Sequence, residues 1–103
     1  MIKIKYRKVN DQLSKIDLSG HAKYADYGND IVCAAVSSIV TTTVNGIIAI
    51  NPKAISYEEN DLFKIINQSF DQVTNTLLDN MLSLLIELSK DYPKNIEIRE
   101  EEK

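Results

Sequence analysis

Ile2, Ile4 and Tyr6 alternate with Lys3, Lys5 and Arg7, the period-two pattern of a strand with one buried face. Asn10-Asp11 supplies turn chemistry, and residues 12–19 extend again with Ile16 and Leu18 on one side, so this opening segment reads as a β-hairpin. Gly20 to Gly28 sustains no period and carries glycine at both ends. It reads as a loop of about nine residues, a length at which loops are often functional.

From Asn29 the pattern becomes apolar over a long stretch, Ile31, Val32, Ala34, Ala35, Val36, Ile39, Val40 and Val44, which predicts a buried helix with Asn29 as N-cap. Asp30 in its first turn suits the positive end of the helix dipole. Thr41 to Val44 is β-branched and a poor helix former, so burial must hold the helix there. Either Gly46 caps it or it runs through Ile47, Ile48 and Ile50 to the Asn51-Pro52 breaker; the second reading is preferred.

Two short strands follow, Ala54 to Glu58 and Leu62 to Ile66, joined by a Glu59-Asn60-Asp61 turn. Ser69 with Gln72 predicts a capping box that opens a second helix running to about Tyr92, where Pro93 stops it. Ile96 and Ile98 then alternate with Glu97 and Arg99 in a last strand. The order ββαββαβ predicts an α/β (α+β) two-layer fold, two long helices against a sheet.

Steps of 100° place Phe70, Val73, Leu77, Leu78, Met81, Leu84, Leu85 and Leu88 on one broad face of the second helix, the expected core stripe. Leu78, Leu82 and Ile86, spaced i, i+4, i+8, form a ridge wider than one sheet face requires. They are offered as a homodimer contact, with a thicker core as the competing account.

With 103 residues the chain reads as a single domain, 1–103, and 44% hydrophobic with 26% charged residues is globular rather than disordered composition. The alternating N-terminus lacks the apolar run of a signal peptide or membrane span, and a cytoplasmic location without membrane attachment is expected. A net charge of -3 argues against a nucleic-acid surface and sits more easily with a basic polypeptide partner. Glu97 and Glu100 to Glu102 read as a solvated acidic end. One cysteine allows no internal disulfide, which suits a reducing compartment. One His and one Cys fall short of a zinc ligand set, and the three glycines form no Walker or Rossmann pattern, so no metal or nucleotide cofactor is expected.

What chemistry the chain carries must come from His21, Asp30 and Cys33. A lone cysteine among Ile31, Val32, Ala34 and Ala35 reads by itself as a small buried hydrophobe. Its position near the predicted start of a helix changes that reading, because unpaired N–H groups and the positive dipole end stabilise a thiolate. Asp30, Cys33, Ser37 and Thr41 also fall on one line of an otherwise apolar helix, a polar stripe that passes through the sulfur. His21, the only histidine, follows the second strand and faces the helix start across the loop, the place from which a general base reaches a thiol. Taken alone it reads as an exposed or singly hydrogen-bonded side chain, and Asp30 as a helix N-terminal charge.

The segment SGHAKYADYGNDIVCAAVSS resembles the signature of the ribosomal-processing cysteine protease (Prp) family, Gly-His-Ala, a short loop ending in Gly, then Asp-Ile-Val-Cys-Ala-Ala-Val-Ser. The resemblance covers about a fifth of the chain, and the paired motifs at this separation are far more specific than either alone. It implies a Cys/His dyad of Cys33 and His21, with Asp30 and Ser37 as supporting polar residues. It also implies a homodimer and a mobile loop at Ala22 to Asn29, hinged at Gly20 and Gly28. The implied activity is removal of an N-terminal extension from large-subunit ribosomal protein twenty-seven, an extended peptide with apolar or aromatic residues before the scissile bond. The competing expectations are a non-catalytic ribosome-associated protein that binds a ribosomal protein N-terminus, and a thiol hydrolase or redox sensor, the latter without a resolving cysteine.

Overall fold

The computed structural model describes residues 1–20, 27–59 and 63–101, with residues 27–30 described by their backbone alone. The elements are β1 (Ile2–Val9), β2 (Gln12–Ser19), α1 (Tyr27–Ile50), β3 (Ile55–Glu59), β4 (Phe63–Asn67), α2 (Gln72–Asp91) and β5 (Ile96–Glu100). The predicted ββαββαβ order therefore stands. The expected turn at Asn60-Asp61 and the residues His21 to Asp26 lie outside the described residues.

The β1–β2 hairpin turns through Asn10 and Asp11, both at positive φ (50° and 65°), the mirror-image turn whose twist matches that of its strands. The five strands form one sheet in the order β3-β4-β2-β1-β5. All neighbours are antiparallel except β1 and β5, where Ile2 stands beside Ile96 and Ile4 beside Ile98 in parallel register. Alternation sends Ile2, Ile4, Ile16, Leu18, Ile65 and Ile96 to the core face, and a register shift against β1 at Arg7/Lys8 brings Leu13 to the same side. Lys3 and Lys5 lie on the open face, beside Glu97 and Arg99 of β5 and Ser19 and Asp17 of β2.

On α1 the stripe Val32, Val36, Val40, Val44 and Ile47 is buried, which offsets the low helix propensity of the β-branched run. The helix passes Gly46 without ending and closes at Ile50, where the Asn51 N–H bonds the Ile47 carbonyl at 2.8 Å and Pro52 stops it. Ile31–Ile50 is long and apolar enough to cross a bilayer by length and composition, at a mean hydropathy of 1.9. Its valine stripe, however, belongs to this domain's core cluster, as in a core helix. At its other end α1 begins two residues before Asn29, so Asn29 is an interior residue of the first turn and not the N-cap.

The second helix departs from expectation at its start and in its face. Its N-cap is Asp71, not Ser69: the Thr74 N–H donates to the Asp71 carboxylate at 2.8 Å, a charge-assisted bond that the Ser69 hydroxyl does not match. Phe70 cannot be helical because it stands at φ 52°, a region bulky residues avoid. Asn67 and Asn75 hold it there. The Phe70 N–H donates to Asn67 Oδ1 at 3.0 Å, Asn75 Nδ2 donates to the Phe70 carbonyl at 2.9 Å, and Asn67 Nδ2 donates to Asn75 Oδ1 at 2.9 Å. The Ser69 hydroxyl and the Thr74 N–H in turn hold the Asp71 carboxyl below its ordinary range. A carboxylate whose folded pKa is depressed stabilises above its unfolded value, near 3.9, and ceases to do so as pH falls through the folded value. Asp71→Ala should therefore lower the melting temperature at neutral pH, and the gap from the parent should close on acidification below about pH 4. Thermal melts by circular dichroism across pH 2–7 check this.

The buried face of α2 is Thr74, Leu78, Met81, Leu82 and Leu85, while Phe70, Val73 and Leu84 are 38%, 49% and 40% exposed. The core stripe is thus rotated toward Leu82. The ridge Leu78, Leu82, Ile86 is consequently not a dimer surface: Leu78 and Leu82 are core residues and Ile86 packs against them. Leu85→Ala should cost about 3 kcal/mol by opening a cavity, whereas Leu84→Ala should cost under about 0.5 kcal/mol. Urea denaturation of the two variants separates these outcomes.

Candidate active site

Cys33 is the seventh residue of α1 and sits about 9 Å along the helix axis from its first residue. Within α1 the N–H groups without an i−4 partner belong to residues 27–29, and the dipole acts mainly within that turn. Cys33, expected near the helix start, therefore stands in the second turn of α1, one turn beyond Asp30.

The side chain is half-buried, packed against the core on one side and open on the other. The open side faces a shallow recess between α1 and the sheet, lined by Ile2, Leu18, Cys33, Val36, Val40 and Phe63, with Ser19 and Ser37 at its polar edge. Its free volume of ≈ 20 Å³ holds about one water. The thiol is therefore accessible, and apolar walls exclude bulk solvent around it. Ser37, one turn after Cys33, and Thr41 beyond it are both exposed, so the polar stripe continues along the outside of the helix.

Asp30 lies one turn before Cys33 on the α1 backbone, its side chain outside the described residues, as is the whole of His21. What the structure describes is the approach to His21. β2 ends at Ser19, which lines the Cys33 recess, and Gly20 follows at φ +91°. A Cβ on Gly20 would run into the Met1 carbonyl oxygen, with the Met1 carbonyl carbon at 3.2 Å and Ile2 Cα at 3.3 Å. Gly20 is thus fitted to a backbone crossing. Gly28 lies inside the first turn of α1, so the second hinge and the loop end at Asn29 are corrected: the chain is already helical from Tyr27.

Among the described residues no three His, Cys, Asp or Glu side chains converge to hold a metal ion. Of the residues lining the recess, the sequence singles out Cys33 and Ser37 as site residues, and not its apolar walls. Ile2 and Leu18 were legible there as alternating core positions, but nothing local marks Phe63, which reaches the site only through the pairing of β4 with β2.

A family model described as cysteine protease Prp matches residues 1–97. The ribosomal processing cysteine protease Prp of Staphylococcus aureus is 30% identical to this chain over 97 residues, covering 87% of this chain and 91% of that protein. Its namesake in Bacillus subtilis is 28% identical over 107 residues, covering 95% and 96%. A crystal structure of the S. aureus essential ribosomal processing protease Prp in complex with a substrate peptide superposes with a TM-score of 0.89 at 24% identity, over 98% of this chain and 100% of that one. A Streptococcus mutans structure superposes with a TM-score of 0.85 at 25% identity, over 97% and 93%.

Proposed function

Since the chain belongs to the ribosomal processing cysteine protease Prp family, we propose that it removes the N-terminal extension of large-subunit ribosomal protein twenty-seven, with Cys33 as nucleophile and His21 as general base. The observation that carries this reading is the half-open thiol of Cys33 at an apolar recess whose wall includes Ser19, two residues before His21. His21 takes the thiol proton, the sulfur attacks the scissile carbonyl carbon, and the oxyanion forms on the carbonyl oxygen. The protonated imidazole returns the proton to the leaving amine as the C–N bond breaks, which leaves a thioester on Cys33. Water deprotonated by the same imidazole attacks that thioester, releases the trimmed extension as a carboxylic acid and restores the thiol.

Helical side chains lean toward the helix N-terminus, the direction in which the free N–H groups of residues 27–29 lie. In the proposed mechanism these donate to the oxyanion. A substrate-analogue structure with the carbonyl oxygen turned away from them would refute that step. Asp30 and Ser37 are assigned the supporting polar roles, one turn to either side of Cys33. A cytoplasmic location and a homodimer belong to the same proposal. With the Leu78–Leu82–Ile86 ridge used up in the core, the dimer contact is assigned to exposed surface such as Ile31 on α1, 43% exposed, and sedimentation velocity tests it.

The test is incubation with the extended ribosomal protein and mass spectrometry of the product, with Cys33→Ala as control. Loss of the extension supports the reading. Tight binding without trimming by the parent protein selects the non-catalytic binding role instead.

A further inference from the structure

Phe63 lines the Cys33 recess and also stacks, tilted by 39°, on Tyr57 with ring centroids 5.2 Å apart. Tyr57, 41% exposed, belongs to β3, the edge strand beside β4 among the described residues. Glu59 lies two residues further on the same face and directly opposite Phe63 in the β3–β4 ladder, where paired Cβ atoms stand about 5 Å apart. That face is the one carrying Ile55 and Ile65 into the core, so Tyr57, Glu59 and Phe63 are on the same side of the sheet as Cys33. Among the described residues the Glu59 carboxylate has no cationic partner; it accepts only the Tyr57 hydroxyl, at 3.2 Å. The neighbouring Glu58 turns to the open face and stands beside Lys64.

A carboxylate and an exposed aromatic face, joined through Phe63 to an apolar recess beside a thiol, form two adjoining subsites of different chemistry. We infer that Glu59, with the Tyr57 ring, is a specificity-determining site for a basic side chain of the peptide substrate, read while a neighbouring residue of the same peptide occupies the recess at Cys33. The carboxylate supplies an ion pair, and the tyrosine face supplies a cation–π contact for lysine or arginine. This inference rests on the peptidase reading above and adds to it the charge of one substrate position.

The experiment uses the full chain and synthetic peptides spanning the N-terminal extension and first residues of ribosomal protein twenty-seven, in which each position is set in turn to lysine, norleucine or glutamate. The parent should prefer lysine over norleucine at one position by about fivefold in kcat/KM, mostly through KM, the scale of an exposed ion pair. Glu59→Gln should abolish that preference and leave cleavage of the norleucine peptide unchanged. Glu59→Lys should move the preference to glutamate at the same position. An unchanged lysine preference in Glu59→Gln, or no preference in the parent, overturns the inference. If the parent cleaves none of the peptides, the peptidase reading fails. In that event fluorescence anisotropy of lysine and norleucine peptides on Cys33→Ala protein decides the Glu59 site separately, equal affinities counting against it.

Discussion

Cys33→Ala should abolish trimming of the extended ribosomal protein while the fold survives nearly intact. The exchange removes one sulfur from a half-buried position, and Ala34 and Ala35 beside it show that α1 accommodates small side chains there. A stability loss of at most about 1 kcal/mol is expected in urea denaturation. Trimming, in contrast, should fall by at least about a thousandfold, because no other thiol exists in the chain to form the thioester. His21→Ala should fall to a similar floor. The double variant should be no worse than either single one, as is usual for groups that act as a unit. Single-turnover assays by mass spectrometry, with circular dichroism on the same preparations, read both halves of this expectation. A thiol that is dispensable, or a double variant showing the product of two independent losses, would remove the dyad.

How far these assignments were legible in the sequence depends on the range over which each signal acts. The period-two strands and the Asn10-Asp11 turn are local patterns that appear where they were placed, and the long apolar helix does so too except that it begins two residues early. The α1 stop at Asn51-Pro52 was equally local, because a proline breaker acts on its own helix whatever packs around it. The start of α2 was misplaced since two capping signals stand two residues apart, and the choice between them is made by Asn67, whose bonds to Phe70 and Asn75 twist the chain at Phe70 and hand the cap to Asp71. Its buried Nδ2 also reaches the Leu13 carbonyl, 54 residues away, a partner no window along the chain can see.

The α2 face illustrates a second limit. Leu84 and Leu85 are equally apolar neighbours, and only contact with α1 and the sheet decides that Leu85 is buried and Leu84 is 40% exposed. A ridge wider than one sheet face is thus ambiguous in sequence between core and interface. The site divides in the same way. Cys33 and its polar stripe follow from spacing on one helix, whereas the recess that gives the thiol its surroundings is assembled from β1, β2, β4 and α1. Phe63 joins it because Leu18 and Phe63 are cross-strand partners.

The second large effect is expected at Gly20. An alanine there must adopt φ near +91°, which costs an L-residue about 1–2 kcal/mol. Its Cβ must also displace the Met1 carbonyl, which is backbone and part of the run into β1 rather than a side chain that can swing aside. Together these should lower stability by about 2–3 kcal/mol. They should lower kcat/KM by more than the loss of folded protein explains, because the displaced segment leads directly into His21, the base of the proposed mechanism, and a shift of about 1 Å in a catalytic group costs on the order of a hundredfold. Gly46→Ala is the matched control. Gly46 lies inside α1 with nothing within 4 Å of an added Cβ, so alanine there should stabilise the helix by about 0.5–1 kcal/mol without changing turnover. Urea midpoints and kcat/KM, measured below the midpoint where both variants are fully folded, separate the two glycines. Equal turnover in Gly20→Ala and the parent would mean that the backbone crossing with Met1 serves the sheet alone and does not set the position of His21.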